Sequence, residues 1–526
     1  MTWFRGVRED YDGKWFRFHT TLKELGNPGW GWEDWIPYFC KSETLHPPNS
    51  DDWARENAAT FEPEISGTDG PLQRSFVPWL GDTHIPFLQS FEKLGLKANP
   101  RAVTATVDPK TSQRSCVTTA YFEPNASRPN LHVIVGAQVN RVMMRQTPDS
   151  ALYEASGVEF IHSSNQYQVI ATKEVIVSAG AYLSPGILER SGQPFMLACF
   201  GTFSHCEFIP GIGCSKRLEA LNIQPLVDLP GVGENFQDHL LVPSSFELKD
   251  NKTVTGDLVR DPEFAAQELE RYKREGGGMY ASIHSAFSML PLQSFVPSQL
   301  ISKSVASLQS LLNSSVSPGQ RKALQIQQRW FEDPSRGQLE IMHVPEFCTP
   351  GASQPKKTGR YVSFLSVIMQ PLSRGSVHVT SPNPYQAPAI DPQYYTNPID
   401  LQLMVHGLKY VQRLANTEPL SSLILKPVDP SPDQLDNTSL ENYARKLLES
   451  AHHPVGTVSM MPRKEGGVVD SELRVYGIRN LRVADASIFP LSMSSHPQAT
   501  LYALGEKVVK KAADILKRSS SQRAKL

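Results

Sequence analysis

Residues 481–500 read LRVADASIFPLSMSSHPQAT. A short apolar run closed by Asp485, a polar loop carrying His496, and then Leu501, Leu504, Val508, Ala512 and Ile515 at helical spacing predict a strand, a loop and a helix in that order. Such a unit sets an aspartate, an imidazole and the positive end of a helix together at the carboxyl edge of a sheet. That is the edge at which α/β folds bind ligands, so the fold class is read as α/β, with a ligand site near the C-terminus.

Upstream, residues 451–461 read AHHPVGTVSMM, two of the 14 histidines of the chain followed by a proline and a Gly-Thr turn. Pro454 restricts the backbone of His453, and a neutral imidazole is the side chain best able to take a proton near pH 7. His453 and His496 are therefore expected to meet across one ligand, the alternative being two satisfied loop histidines. His452 is expected to face outward or to be structural.

Working outward, residues 26–39 (GNPGWGWEDWIPYF) predict a turn that packs its tryptophans ahead of a short helix. From Asn130 the runs LHVIVGAQVNRVMM and VEFIHSSNQYQVIATKEVIVSAGA predict several antiparallel strands followed by a buried one, EVIVSAG. Asp261 and Pro262 mark a helix start, 398–414 carries Leu401, Met404, Val405, Leu408 and Val411 on one helical face, and GSVHV at 375–379 predicts a strand.

The chain has 526 residues, 40% of them hydrophobic, enough for more than one domain. Its 52 lysines and arginines balance 53 aspartates and glutamates, so no field favours nucleic acid or an anionic membrane, and a small-molecule partner is expected. No apolar run approaches the roughly 20 residues of a membrane helix. The six cysteines are dispersed, with no CxxC spacing, and no metal site is expected. The chain ends in Ala-Lys-Leu, a near variant of a peroxisomal address, and equally a frayed basic tail; a secreted protein is not excluded.

The run AHHPVGTVSMMPRKEGGVVDSELRVYGIRNLRVADASIFPLSMSSHPQATLYALGEK resembles the C-terminal signature of the glucose-methanol-choline (GMC) family of FAD-dependent oxidoreductases. VIVSAGAYLSPGILERSG at 175–192 and LPGVGENFQDHL at 229–240 resemble two internal segments of that family, and RGVREDYDGKW, RSCVTTAYFEP and LHVIVGAQVNRV match it in order. The resemblance implies FAD as cofactor, with His453 and His496 as the catalytic pair. It sets Asp485 and Ala486 beside the diphosphate and ribityl chain, Pro497 and Gln498 near the isoalloxazine ring, and the backbone of Val139 against adenine. It implies oxidation of an alcohol CH–OH, the proton going to histidine and hydride to flavin, with O2 or another electron acceptor, in a fungal enzyme of secondary metabolism. A non-redox cyclase or lyase on the same fold, or an inactive fragment, are the alternatives. The implied domains are an FAD-binding part at 1–240, completed by 451–517, and an antiparallel-sheet substrate-binding part at 241–450.

Two departures from the family pattern are expected to matter. No GxGxxG fingerprint is present; the glycine clusters at Gly211, Gly231 and Gly276 read as turns, and the N-terminal βαβ unit, about a hundred residues, is expected to be lacking. In addition, 193–211 (QPFMLACFGTFSHCEFIPG) interrupts the motif that would otherwise run from Ser191-Gly192 into Ile212-Gly213, and reads as an atypical insertion of the kind a translated intron leaves.

Overall fold

A computed structural model describes residues 16–48, 50–57, 59, 66–96, 101–102, 104–147, 152–192, 195–197, 206–282, 286–313 and 316–523. The C-terminal Ala-Lys-Leu lies outside these residues. The tryptophan-rich turn behaves as its composition suggests. It leads into helix α1 (Trp32–Ser42), and Trp30 and Trp35 are fully buried, edge to face at 5.4 Å. The Lys507 ammonium of the last helix sits 4.8 Å from the Tyr38 ring centroid and 5.2 Å from that of Trp30, and donates to the Asp34 carbonyl. The aromatic segment thereby fixes the long C-terminal helix on which the candidate site depends.

Strands β1 (Ala137–Gln146), β2 (Tyr153–His162) and β3 (Asn165–Ile170) form an antiparallel meander, β1 lying at its edge. The first strand begins at Ala137 and not at Asn130. Val133, Ile134 and Val135 are exposed coil, because no described strand offers hydrogen bonds to that stretch, and apolar alternation cannot make a strand without a partner. The strand read in EVIVSAG is β4 (Val175–Val177), with Val175 and Val177 buried but Ile176 43% exposed. Its period of two turns the middle residue outward, and it pairs on one side only. Helix α2 (Gly180–Glu189) follows directly.

Of the inserted segment, Phe195–Leu197 pairs antiparallel with the start of β5 (Cys206–Gly213), which continues parallel to β6 (Ile223–Asp228). The GIG cluster at Gly211 is thus strand, not turn. Gly211 packs on the Glu189 carbonyl, so closely that a Cβ would lie 2.2 Å from it, and a Cβ on Gly192 would lie 2.3 Å from Pro210. The chain leaves and re-enters the fold at neighbouring points. Deleting Gln193 through Gly211 therefore joins Gly192 to Ile212 across a short gap, and the shortened chain is expected to be soluble with a Tm no lower than that of the full chain. A Tm lower by more than about 10 °C, or insolubility, would show the segment to be structural.

A seven-stranded, wholly antiparallel sheet forms the second half. Its members include β7 (Leu240–Leu248), β8 (Ala286–Leu290), β9 (Leu339–Val344), β10 (Tyr361–Ile368) and β11 (Ile424–Asp429), in the order β11-β7-β10-β9-β8. All of β7, β9 and β10 is buried because both faces are covered. Leu240, Val242, Leu339, Ile341, Phe364 and Ile368 face a helical layer that includes α3 (Pro398–Ala415), which carries the predicted Leu401, Met404, Val405, Leu408 and Val411. Leu241, Phe287, Met289, Met342, Val344, Leu365 and Val367 face the other way, into a smaller core. By the same alternation Glu340 of β9 points to this second face, and a one-residue slip would carry it away.

The chain then returns to the first half. Strand β12 (Leu481–Val483) pairs parallel with β4, and helix α4 (Gln498–Arg523) starts two residues after His496. The strand, loop and helix read from residues 481–500 are all present. Asp261 caps the helix Pro262–Glu275 by accepting from the Glu263 and Phe264 amides, and Ser376–His378 is the strand read in GSVHV.

Candidate active site

Where the second face of the large sheet meets the loop before α4, four buried titratable side chains come together: His239, Glu340, His453 and His496. The rings of His453 and His496 are 4.8 Å apart, centroid to centroid, and inclined at 38°. The pair expected from the sequence is therefore assembled. Of their partners, Glu340 belongs to no motif, and His239 lies in the family-like segment LPGVGENFQDHL.

His453 is placed by backbone pairing. Residues 237–239 run antiparallel to 451–455, with Gln237 and Val455 exchanging amide-to-carbonyl bonds of 3.1 and 2.9 Å, and the Ala451 amide donating to the His239 carbonyl at 3.1 Å. Asp238 locks this pairing. Its Oδ1 accepts from the amides of His239 (2.8 Å) and His453 (2.9 Å), and its Oδ2 accepts from Tyr394 Oη (3.1 Å) and Ser450 Oγ. The strain is taken by His452, exposed and in a left-handed conformation with φ 60°. It faces outward, one of the two roles expected for it.

The two candidate catalytic histidines differ in what holds them. His496 Nε2 is 3.0 Å from Glu340 Oε2, a carboxylate with no exposed surface, so its imidazolium form has a partner. His453 Nδ1 is 2.9 Å from His239 Nδ1, and His239 Nε2 is 2.9 Å from the Met493 carbonyl. Burial holds the His453 imidazole well below its ordinary 6.5 and lowers His239 to about 3, with the charge of His496 adding to both. The site thus pairs an imidazole kept neutral by burial with one bonded to a buried carboxylate. Phe287 lies 6.1 Å from His496, and Met289, Met342 and Leu365 continue the same apolar face.

The remaining expected residues spread around this pair. Pro497 is buried and Gln498, the first residue of α4, is half-buried; the first turn of α4 has no acidic side chain. Ala486 is half-buried, at the start of a short turn of helix. Asp485 is held by protein donors on both oxygens: Gly180 N (3.0 Å) and Ser184 Oγ (2.5 Å) on Oδ2, Ser487 N (2.8 Å) and Ser487 Oγ (2.5 Å) on Oδ1. It ties β12 to the start of α2. Val139 sits on the edge strand β1 beside a bulge at Asn140, half-buried against the first core.

The glycine clusters at Gly231 and Gly276 are turns. Gly233, at φ 79°, packs against Val377 and His378, and Gly276, at φ 63°, ends the helix Pro262–Glu275. Among the described residues no group of three or more His, Cys, Asp or Glu is arranged to hold a metal ion, and no helix is long and apolar enough to cross a membrane.

The family description GMC oxidoreductase matches the chain twice, its N-terminal part over residues 1–241 and its C-terminal part over 371–505. A dehydrogenase of Armillaria gallica is 30% identical over 538 residues, covering 98% of this chain and 78% of the relative. A glucose oxidase of Aspergillus carbonarius is 30% identical over 526 residues, covering 94% of this chain and 76% of the relative. The solved structure of an FAD-dependent oxidoreductase from Chaetomium thermophilum superposes with a TM-score of 0.83 at 27% identity, covering 99% of this chain and 85% of that one. The expectation that an N-terminal unit is lacking is not borne out, since the N-terminal match begins at residue 1.

Proposed function

The chain belongs to the GMC oxidoreductase family, and from that premise we propose that it oxidises the CH–OH group of a small-molecule alcohol at the His453–His496 site. FAD is the cofactor, and the residues present fit it. Helix α4 opens without an acidic side chain, leaving its positive end to Pro497 and Gln498 and to the negative charge of a reduced flavin ring. The Ala486 backbone would lie along the diphosphate and ribityl chain. The edge strand β1 would present the Val139 backbone to adenine, while Asp485 acts by holding the β12–α2 junction together. Bound there, FAD would supply the acceptor for the hydride leaving the carbinol carbon.

The protein's part is to hold the alcohol and take its proton. His453, kept neutral by burial, takes the hydroxyl proton, which becomes acidic as the carbon is oxidised. His496, held by Glu340, donates to the hydroxyl oxygen and keeps it in reach of His453. Phe287 and its apolar neighbours exclude water. The observation that carries this reading is the asymmetry of the pair: the His453 ring is bonded to a buried imidazole at 2.9 Å, the His496 ring to a buried carboxylate at 3.0 Å.

The asymmetry sets the pH dependence. Only neutral His453 can accept a proton, so acidification lowers the rate; because its pKa lies well below 6.5, kcat/KM for an alcohol should stay level through neutrality and decline only below pH 6.5. An acid limb centred at or above 6.5 would remove His453 from the role. Anaerobic addition of alcohols to the FAD-loaded protein, followed by O2 or a dye, tests substrate class and electron acceptor together.

A further inference from the structure

We propose that His239 is a positioning residue which fixes the tautomer of His453, so that the ring nitrogen left to accept the substrate proton is Nε2. The inference rests on the reading of His453 as base.

The argument is one of donors and acceptors. A neutral imidazole carries one N–H and one lone pair. Two backbone carbonyls bear on the His239 ring, those of Met493 and Met369, and the one in hydrogen-bond geometry is Met493, 2.9 Å from Nε2; a carbonyl can only accept, so the His239 proton is on Nε2. The opposite tautomer would press two lone pairs together in a fully buried space. His239 Nδ1 is then the acceptor, and the atom 2.9 Å away, His453 Nδ1, must be the donor. The His453 proton is therefore on Nδ1, and Nε2 carries the lone pair. A charged form of either ring would change this, but burial disfavours charge on both.

The geometry is held from several sides. Asp238 accepts from both backbone amides, the 237–239 and 451–455 segments are paired, and the two rings meet edge to face at 4.9 Å and 82°. When His453 takes the hydroxyl proton on Nε2, its Nδ1–H still has a neutral acceptor in His239. The new positive charge is stabilised without a second proton moving, because the other side of His239 faces a carbonyl that takes none.

Two variants of similar size separate this role from packing. In His239→Asn the amide oxygen lies close to where ring Nδ1 was and accepts from His453; in His239→Leu nothing accepts. H239N should keep kcat within about tenfold of the parent, while H239L should lower kcat by about 10²-fold with KM changed less than about threefold and FAD content unchanged. A readout independent of turnover is nitrogen NMR of protein labelled with 15N-histidine. The unprotonated nitrogen of His453 should be Nε2 in the parent and in H239N, and the tautomers should mix in H239L. If Nδ1 of His453 is unprotonated in the parent, or if H239N and H239L lose activity equally with unchanged tautomers, the inference is overturned. If no alcohol is oxidised but the tautomer pattern holds, the function proposed above fails and the positioning role of His239 stands.

Discussion

Replacing His453 with asparagine should lower kcat for alcohol oxidation by about 10²–10⁴-fold, the range a positioned general base contributes. The substitution is chosen for what it keeps. The asparagine amide reaches roughly the position of ring Nδ1 and can still donate to His239, and the backbone amide still bonds Asp238. What disappears is the far ring nitrogen. FAD content and Tm should therefore stay near those of the parent while turnover collapses. The matching substitution at Glu340 has a different signature. Glu340→Gln removes the charge that partners His496 without removing bulk, and should impair binding and orientation of the alcohol before it impairs proton removal. A His453→Asn protein that turns over normally would mean the proton leaves by another route.

The second large effect concerns stability. Asp485→Ala should destabilise the protein by roughly 3–5 kcal/mol, because it strips the acceptor from Gly180 N, Ser184 Oγ and both donors of Ser487 at a site that is 8% exposed. Ser184 Oγ also accepts from the Ala179 amide, so the loss reaches the turn into α2. Asp485→Asn keeps one accepting oxygen and should cost about half as much. Denaturant unfolding checks both. A change under about 1 kcal/mol in the alanine variant would show the four bonds to be incidental. Because the carboxylate is occupied by protein donors, any loss of FAD in these variants should follow the loss of structure around Ala486, not the loss of a direct ligand.

The local grammar of the C-terminal run was strong enough to carry its strand, loop and helix, because each has a signal within a few residues: Leu481 and Val483 alternating, Pro497 beside the helix start, and leucines at helical spacing after it. The meeting of His453 and His496 was expected from a histidine held ahead of a Gly-Thr turn and another in the loop at the sheet edge, both suited to one ligand. Glu340 was hidden for the opposite reason. It lies 156 residues from His496 in sequence, and only the register of β9 against β8 and β10 turns it toward the site. Its one trace is a carboxylate inside a strand, LEIMHV, that is apolar but for it and His343. His239 stood in view in the family-like segment ENFQDHL, but its role depends on a pairing with 451–455 that no local pattern announces. The same limit explains the misread stretch from Asn130. Alternation at Val133 and Val135 reports a preference for strand, and a preference becomes a strand only where a neighbour supplies the ladder.

The account turns on a proton leaving a substrate hydroxyl for His453 while the carbinol carbon gives up hydride. Its most direct test is anaerobic mixing of the FAD-loaded protein with a panel of primary and secondary alcohols, protonated or deuterated at the carbinol carbon, while flavin absorbance is followed. At least one alcohol should bleach the flavin, the deuterated form should do so more slowly, and His453→Asn should slow the bleaching by about 10²-fold or more. Flavin that dithionite reduces but that no alcohol bleaches would contradict it.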